Sequence, residues 1–149
     1  MKKILGLDAG QAGGIAVMDL DNGQLLEVIP MPPTIQDISD VFERHNDAYC
    51  AYLEKVHSMP RQGVASSFKF GQNYAYLQMG LACHKIRCID VTPQTWQKAL
   101  SATSKKGESK TQHKNRLKGL AQKIFPKEKV TLKTADALLI AYYGYLKER

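Results

Sequence analysis

Residues 2–31, KKILGLDAGQAGGIAVMDLDNGQLLEVIPM, decide the fold. Apolar runs of strand length alternate here with turn chemistry. KKILGLD stops at Asp8 and glycines, GGIAVMDL stops at an Asp-Asn-Gly turn, and QLLEVIPM is closed by Pro30, Pro32 and Pro33. Short apolar runs divided by Gly and Asn-Gly turns read as three strands of an antiparallel meander.

Helices and single strands alternate beyond it. TIQDISDVFERH, residues 34–45, places Ile35, Ile38, Val41 and Phe42 at helical spacing, and Thr34 with Asp37 resembles a capping box. AYCAYLEKV is a fourth strand ending at Glu54. A polar connection, HSMPRQGVASS, leads into a helix on which Phe70, Tyr74, Leu77 and Leu81 share a face. IRCIDV is a fifth strand. It runs into TPQTWQKAL, where Thr92 can cap, Pro93 takes the first helical position and Val91 can staple against Trp96. SATSKKGESK, with little apolar content, is the best candidate for a mobile loop. The next helix puts Leu117, Leu120, Ala121 and Ile124 on one face, leaves Lys114, Lys118 and Lys123 more exposed, and stops near Pro126. LKTADALLIAYYGYL, residues 132–146, is the last helix, with Asp136 expected in its first turn. The order β-β-β-α-β-α-β-α-α-α implies an α/β protein with a mixed sheet and helices on its faces.

A length of 149 residues with 44% hydrophobic composition suits one domain, 1–149, with a full core. No apolar run approaches the ~20 residues of a membrane helix, and Asp8 falls where a signal peptide would still be apolar. A soluble, cytoplasmic protein without a membrane partner is expected. Cys50, Cys83 and Cys88 are an odd set without a CxxC pair, which suggests neither a disulfide framework nor a zinc site. The formal charge of +7 is unevenly placed. Between Lys98 and Lys129 ten Lys or Arg face only Glu108 and Glu128, so this window carries +8 and the rest of the chain −1. A basic field concentrated on a near-neutral body suits a polyanion, nucleic acid foremost.

Three carboxylates then stand out: Asp8 at the end of the first strand, Glu54 at the end of the fourth, and Asp136 at the start of the last helix. A carboxylate on a strand exit beside a glycine-rich turn has a rigid base and an open approach, which suits a hard cation such as Mg²⁺. Each also has a structural role open to it. Asp8 could terminate a strand, Glu54 could pair with Lys55, and Asp136 could face the helix dipole.

GLDAG followed by GGIAV, LEKVHSMP followed by GVASSFKFGQNYAYL, VTPQTWQKAL, and ADALLIAYYG occur in the order seen in RuvC-type Holliday-junction resolvases. Over nearly its whole length the chain most closely resembles the small resolvase-like proteins of bacteriophages. The resemblance implies a ribonuclease H-like fold, with a five-strand sheet whose first three strands are antiparallel. It implies a homodimer that places two active sites across a four-way DNA junction, in a bacterial cell or a phage-infected host. Asp8, Glu54 and Asp136 match the family's acidic residues and would hold Mg²⁺ or Mn²⁺. Lys98 and Lys110 align with lysines near the cut, and Lys110 is the candidate for stabilising charge on the phosphate. His57, Met59 or Phe68 would reach unstacked bases, and Arg61 and Lys69 would meet phosphate, as would Lys105 and Lys106 in the basic loop. The departure is Lys133, where bacterial resolvases usually carry a further acid. Either three carboxylates suffice, Lys133 contacts the scissile phosphate, or the protein binds junctions and cuts them poorly.

The expectation is a metal-dependent, structure-selective endonuclease serving DNA recombination or repair. The rivals are a catalytically weak junction-binding protein and a ribonuclease H-like nuclease acting on RNA–DNA hybrid.

Overall fold

The computed structural model describes residues 1–56 and 61–149. Its elements run β1 (Lys3–Asp8), β2 (Gly14–Asp19), β3 (Leu25–Pro30), α1 (Ile35–Arg44), β4 (Cys50–Glu54), α2 (Val64–Cys83), β5 (Cys88–Val91), α3 (Pro93–Ala99), α4 (Lys110–Ile124) and α5 (Leu132–Glu148). The strands form a five-stranded sheet ordered β3-β2-β1-β4-β5. Tight turns join β1 to β2 and β2 to β3 as antiparallel neighbours. Crossovers through α1 and α2 bring β4 parallel to β1 and β5 parallel to β4, as parallel pairing requires. This is the five-strand mixed sheet, its first three strands antiparallel, that the family resemblance implies.

Alternation along the strands divides the core in two. Ile4, Ala16, Met18, Cys50 and Tyr52 belong to one cluster, with Trp96 of α3, Leu117 of α4 and Leu138 of α5. Leu5, Leu7, Ile15, Val17, Ala51 and Leu53 belong to the other, with Phe42 of α1 and Leu77 and Leu81 of α2. Each Val, Leu, Ile, Phe or Met side chain among them contributes about 1.5–3 kcal/mol when fully buried. α5 comes closest to the sheet. A Cβ on Gly6 would collide with the backbone of Ala137 and Ala141, so only glycine in β1 and small residues on α5 permit this approach.

Three local details differ from expectation. α2 begins at Val64, so VASS is helical rather than part of the connection. α5 is N-capped by Thr131, whose N–H donates to Thr134 Oγ1 at 3.1 Å. Asp136 is therefore the fifth helical residue, beyond the first turn, and a pairing with the helix dipole does not account for it. The loop after α3 is fastened rather than loose. Arg116 Nη2 donates to the Thr103 carbonyl at 2.6 Å, and its guanidinium also pairs with Glu108 at 2.8 Å. His113 Nε2 lies 2.9 Å from the Ala102 carbonyl oxygen, and Ser109 and Gln112 cap α4 reciprocally.

Candidate active site

Strand register builds the site. β1 and β4 pair with Leu7 opposite Leu53, so the next residues, Asp8 and Glu54, end the two strands side by side. Asp8 shares the parity of Ile4 and Gly6, and Glu54 that of Cys50 and Tyr52, which directs both carboxylates to the α5 side. There α5 crosses β1, with Asp136 just before the Ala137 that touches Gly6. Asp8 and Asp136 line a common cleft of about 200 Å³ with Ala9, Ala12, Gly13, Lys114, Leu132 and Ala135.

The turn at the rim is fixed from α2. Gly10 has φ +98°, which favours glycine, and its N–H donates to the buried Asn73 Oδ1 at 2.7 Å. A second hollow of about 470 Å³ adjoins the first, sharing Ala9 and Ala12 and extending past Gln11 to Ser66, Lys69 and Phe70.

Burial makes the carboxylates reluctant to ionise. It raises Asp8 well above the usual carboxylate range, helped by the charges of Asp136 and Glu54 and opposed by Lys114. Burial likewise raises Asp136, against the attraction of Lys114 and His113. Glu54 is pushed up to about 7, by burial first and by Asp136 in addition, although Trp96 Nε1–H donates to its Oε2 at 2.6 Å. Desolvation and like charge both disfavour the anions, and a bound cation would relieve both. Among the described residues no three acidic, His or Cys side chains stand ready as a metal cage. The donor set nevertheless fits a hard divalent ion. It consists of two carboxylates in one cleft, a third that feels their charge, and no thiol among the lining residues.

Lys69 lines the adjoining hollow. Arg61 is exposed ahead of α2, Lys98 is exposed in the last turn of α3, and Lys105 and Lys106 are exposed in the loop before α4. Lys110 opens α4 and is exposed, while Lys114, one turn further, reaches the cleft. Lys133 is exposed beside the cleft-lining Leu132. Phe68 is 67% exposed, whereas Phe70 is half-buried against Gly10. His57 and Met59 lie outside the described residues.

Sequence reasoning passed over three residues that shape this region. Lys114 was readable as more than a solvated lysine, because it heads the row Lys114, Leu117, Ala121 whose other two members are buried. Asn73 sits at core spacing with Leu77 and Leu81. The Trp96 indole had no signal that would name Glu54 as its acceptor.

No family model matches the chain, and no curated protein sequence matches it. Solved structures do. The RuvC of Thermus thermophilus in complex with a Holliday-junction substrate superposes with a TM-score of 0.69 at 18% identity, over 99% of this chain and 95% of that one. The fold is that of RuvC. A second Thermus thermophilus RuvC structure gives 0.65 at 16% identity, covering 97% of this chain and 95% of that one. The fowlpox virus Holliday junction resolvase gives 0.64 at 14% identity, over 97% and 99% of the two chains. The likeness thus spans nearly the whole chain.

Proposed function

We propose that this chain is one nuclease domain, a metal-dependent, structure-selective DNA endonuclease that resolves four-way junctions or related branched DNA in the cytoplasm. The observation that carries the reading is the meeting of Asp8, Glu54 and Asp136 around one end of a parallel strand pair, with Lys114 in the same cleft. The RuvC fold shared with a structure bound to a Holliday junction supports branched DNA as substrate.

Asp8 and Asp136 would hold Mg²⁺ or Mn²⁺, with Glu54 as the third carboxylate. Such an ion, when bound, polarises a phosphate oxygen and makes water a better nucleophile. The chain supplies the rest. Lys114 places fixed positive charge where the phosphate gains negative charge, with Lys110 one turn away on the same helix. The turn from Ala9 to Gly13, tied by Asn73, walls the cleft and fixes the approach. Lys69 extends the positive track across the adjoining hollow. Arg61, Lys98, Lys105, Lys106, Lys110 and Lys133 would meet further phosphates, and His57 the junction centre. The products would be a 5′-phosphate and a 3′-hydroxyl.

Symmetric nicking needs two sites, and α2 supports a homodimer. Opposite its core face, Val64, Phe68 and Met79 are 88%, 67% and 66% exposed, with Gly71, Ala75 and Ala82 exposed between and beyond them. At helical spacing these residues form one apolar stripe along a 20-residue helix, a surface suited to self-association across a two-fold axis.

The test is incubation of the protein and an Asp8→Asn variant with a labelled four-way junction, a linear duplex and an RNA–DNA hybrid, with and without Mg²⁺ or Mn²⁺. Paired nicks in the junction, dependent on metal and lost in the variant, are expected. A junction that is bound but never nicked would leave the weak-cutter reading, which the absence of a ready cage among the described residues favours. Cutting of the hybrid alone would assign the protein to another substrate.

A further inference from the structure

Trp96 is the only tryptophan in the chain, and it is wholly buried. Local structure brings it to Glu54. β4 and β5 pair with Glu54 opposite Val91, and Thr92 then caps α3 by accepting from the Thr95 N–H at 3.2 Å. Pro93 fixes the first helical position, and Trp96 arrives one turn later in the same core cluster as Val91. Its Nε1–H donates to Glu54 Oε2 at 2.6 Å. The same indole belongs to the core cluster that includes Ala102, at the start of the basic loop, and Leu117, midway along α4.

A buried indole N–H and a buried carboxylate each need a partner, so the bond has a structural use whatever the protein does. Its placement gives it a second one. A carboxylate with one oxygen held by a rigid donor cannot rotate freely. It offers a cation one oxygen in a set direction, as the outer hydrogen-bond partners of metal ligands do elsewhere.

We propose that Trp96 is a positioning residue for the metal centre, holding Glu54 by one carboxylate oxygen so that the other serves the cation, and that its fluorescence therefore reports occupancy of the site. This rests on the metal-binding reading above. Trp96 itself touches neither DNA nor cation in this account. It acts through Glu54.

The experiment has two arms on the full chain. In the first, emission of the wild-type protein is followed as Mg²⁺ is added without DNA. A saturable shift that is absent in Asp8→Asn is expected. In the second, Mn²⁺ binding to wild type and Trp96→Phe is measured by electron paramagnetic resonance. The phenylalanine keeps an aromatic ring but removes the N–H, and affinity should fall about 10–100-fold. The first arm decides if Trp96→Phe does not fold. Silent emission over the concentrations at which wild type binds metal would overturn the proposal, as would Mn²⁺ affinity in a folded Trp96→Phe within twofold of wild type. Either result would leave the metal site standing. If wild type binds no Mn²⁺ at all, the metal reading fails and takes this inference with it.

Discussion

Replacing Glu54 by glutamine should make the metal-free protein more stable while abolishing nicking. Burial raises the Glu54 carboxyl from an ordinary 4.5 to about 7. At about 1.4 kcal/mol per pKa unit, the folded protein carries a penalty of about 3 kcal/mol when Glu54 is ionised. The pH window follows from the sign. Below 4.5 the group is protonated in both states and the penalty is absent. As pH rises toward 7, the unfolded chain releases its proton first, so stability falls, and above 7 the loss is complete. Glutamine never ionises and still presents an oxygen to the Trp96 N–H. At pH 8 Glu54→Gln should therefore gain up to about 3 kcal/mol, which for a domain of this size is a rise of roughly 6–12 °C in Tm. At pH 4.5 the two proteins should melt together. Saturating Mg²⁺ should narrow the gap at pH 8 by stabilising wild type alone. Thermal melts at both pH values, with and without metal, check this. If metal-free Glu54→Gln melts at or below wild type at pH 8, burial does not penalise this carboxylate and the argument for a cation-seeking centre loses its basis.

Lys114→Ala should slow junction nicking about 100-fold, the scale of losing one preorganised charge at a reacting phosphate, and should do so more than Lys110→Ala. Single-turnover rates on a four-way junction would show this, and an equal or larger loss at Lys110 would return the catalytic role to the residue first expected to have it. Met79→Glu should place a charge in the apolar stripe of α2 and convert a dimer to monomers in sedimentation, while the thermal melt stays within a few degrees because Met79 is 66% exposed. A dimer that survives this change would mean that self-association uses another surface.

The sheet was legible because its signals are local. Glycines, Asn-Gly and prolines punctuate β1 to β3, and the Thr92-Pro93 start of α3 carries its own cap. The start of α5 was harder to read. LKTADALL reads as a helix from several starting points, and the Thr131–Thr134 hydroxyl pair selects one that puts Asp136 past the first turn. The identities of the three carboxylates could be suspected, but their convergence could not. It depends on the parallel register that sets Leu7 against Leu53, on strands separated by a hairpin and a helix. The row that Lys114 shares with Leu117 and Ala121 could be read, but the cleft it reaches and the acceptor of the Trp96 N–H could not, since both lie on elements distant in sequence.

Under the proposed function an acidic centre would have to receive a polyanion, a problem that basic residues would address. Asp8 and Asp136 line the cleft together with Lys114, whereas Lys98, Lys105, Lys106 and Lys110 are exposed on α3, on α4 and in the loop between them. Lys133 extends this pattern. At the second position of α5 a cation is disfavoured by the helix dipole by about 0.3–1 kcal/mol, and an acid would be favoured. Helix stability therefore gives no reason for a lysine there. Its side chain is exposed, next in sequence to the cleft-lining Leu132, and adds to the positive N-terminus of α5. An acid at that position would strengthen the centre as a cation trap but would repel the phosphate. A lysine does the reverse. With Asp8 and Asp136 already in the cleft and Lys114 offsetting part of their repulsion, a lysine here would, under the proposed function, favour capture of DNA at the expense of a further ligand.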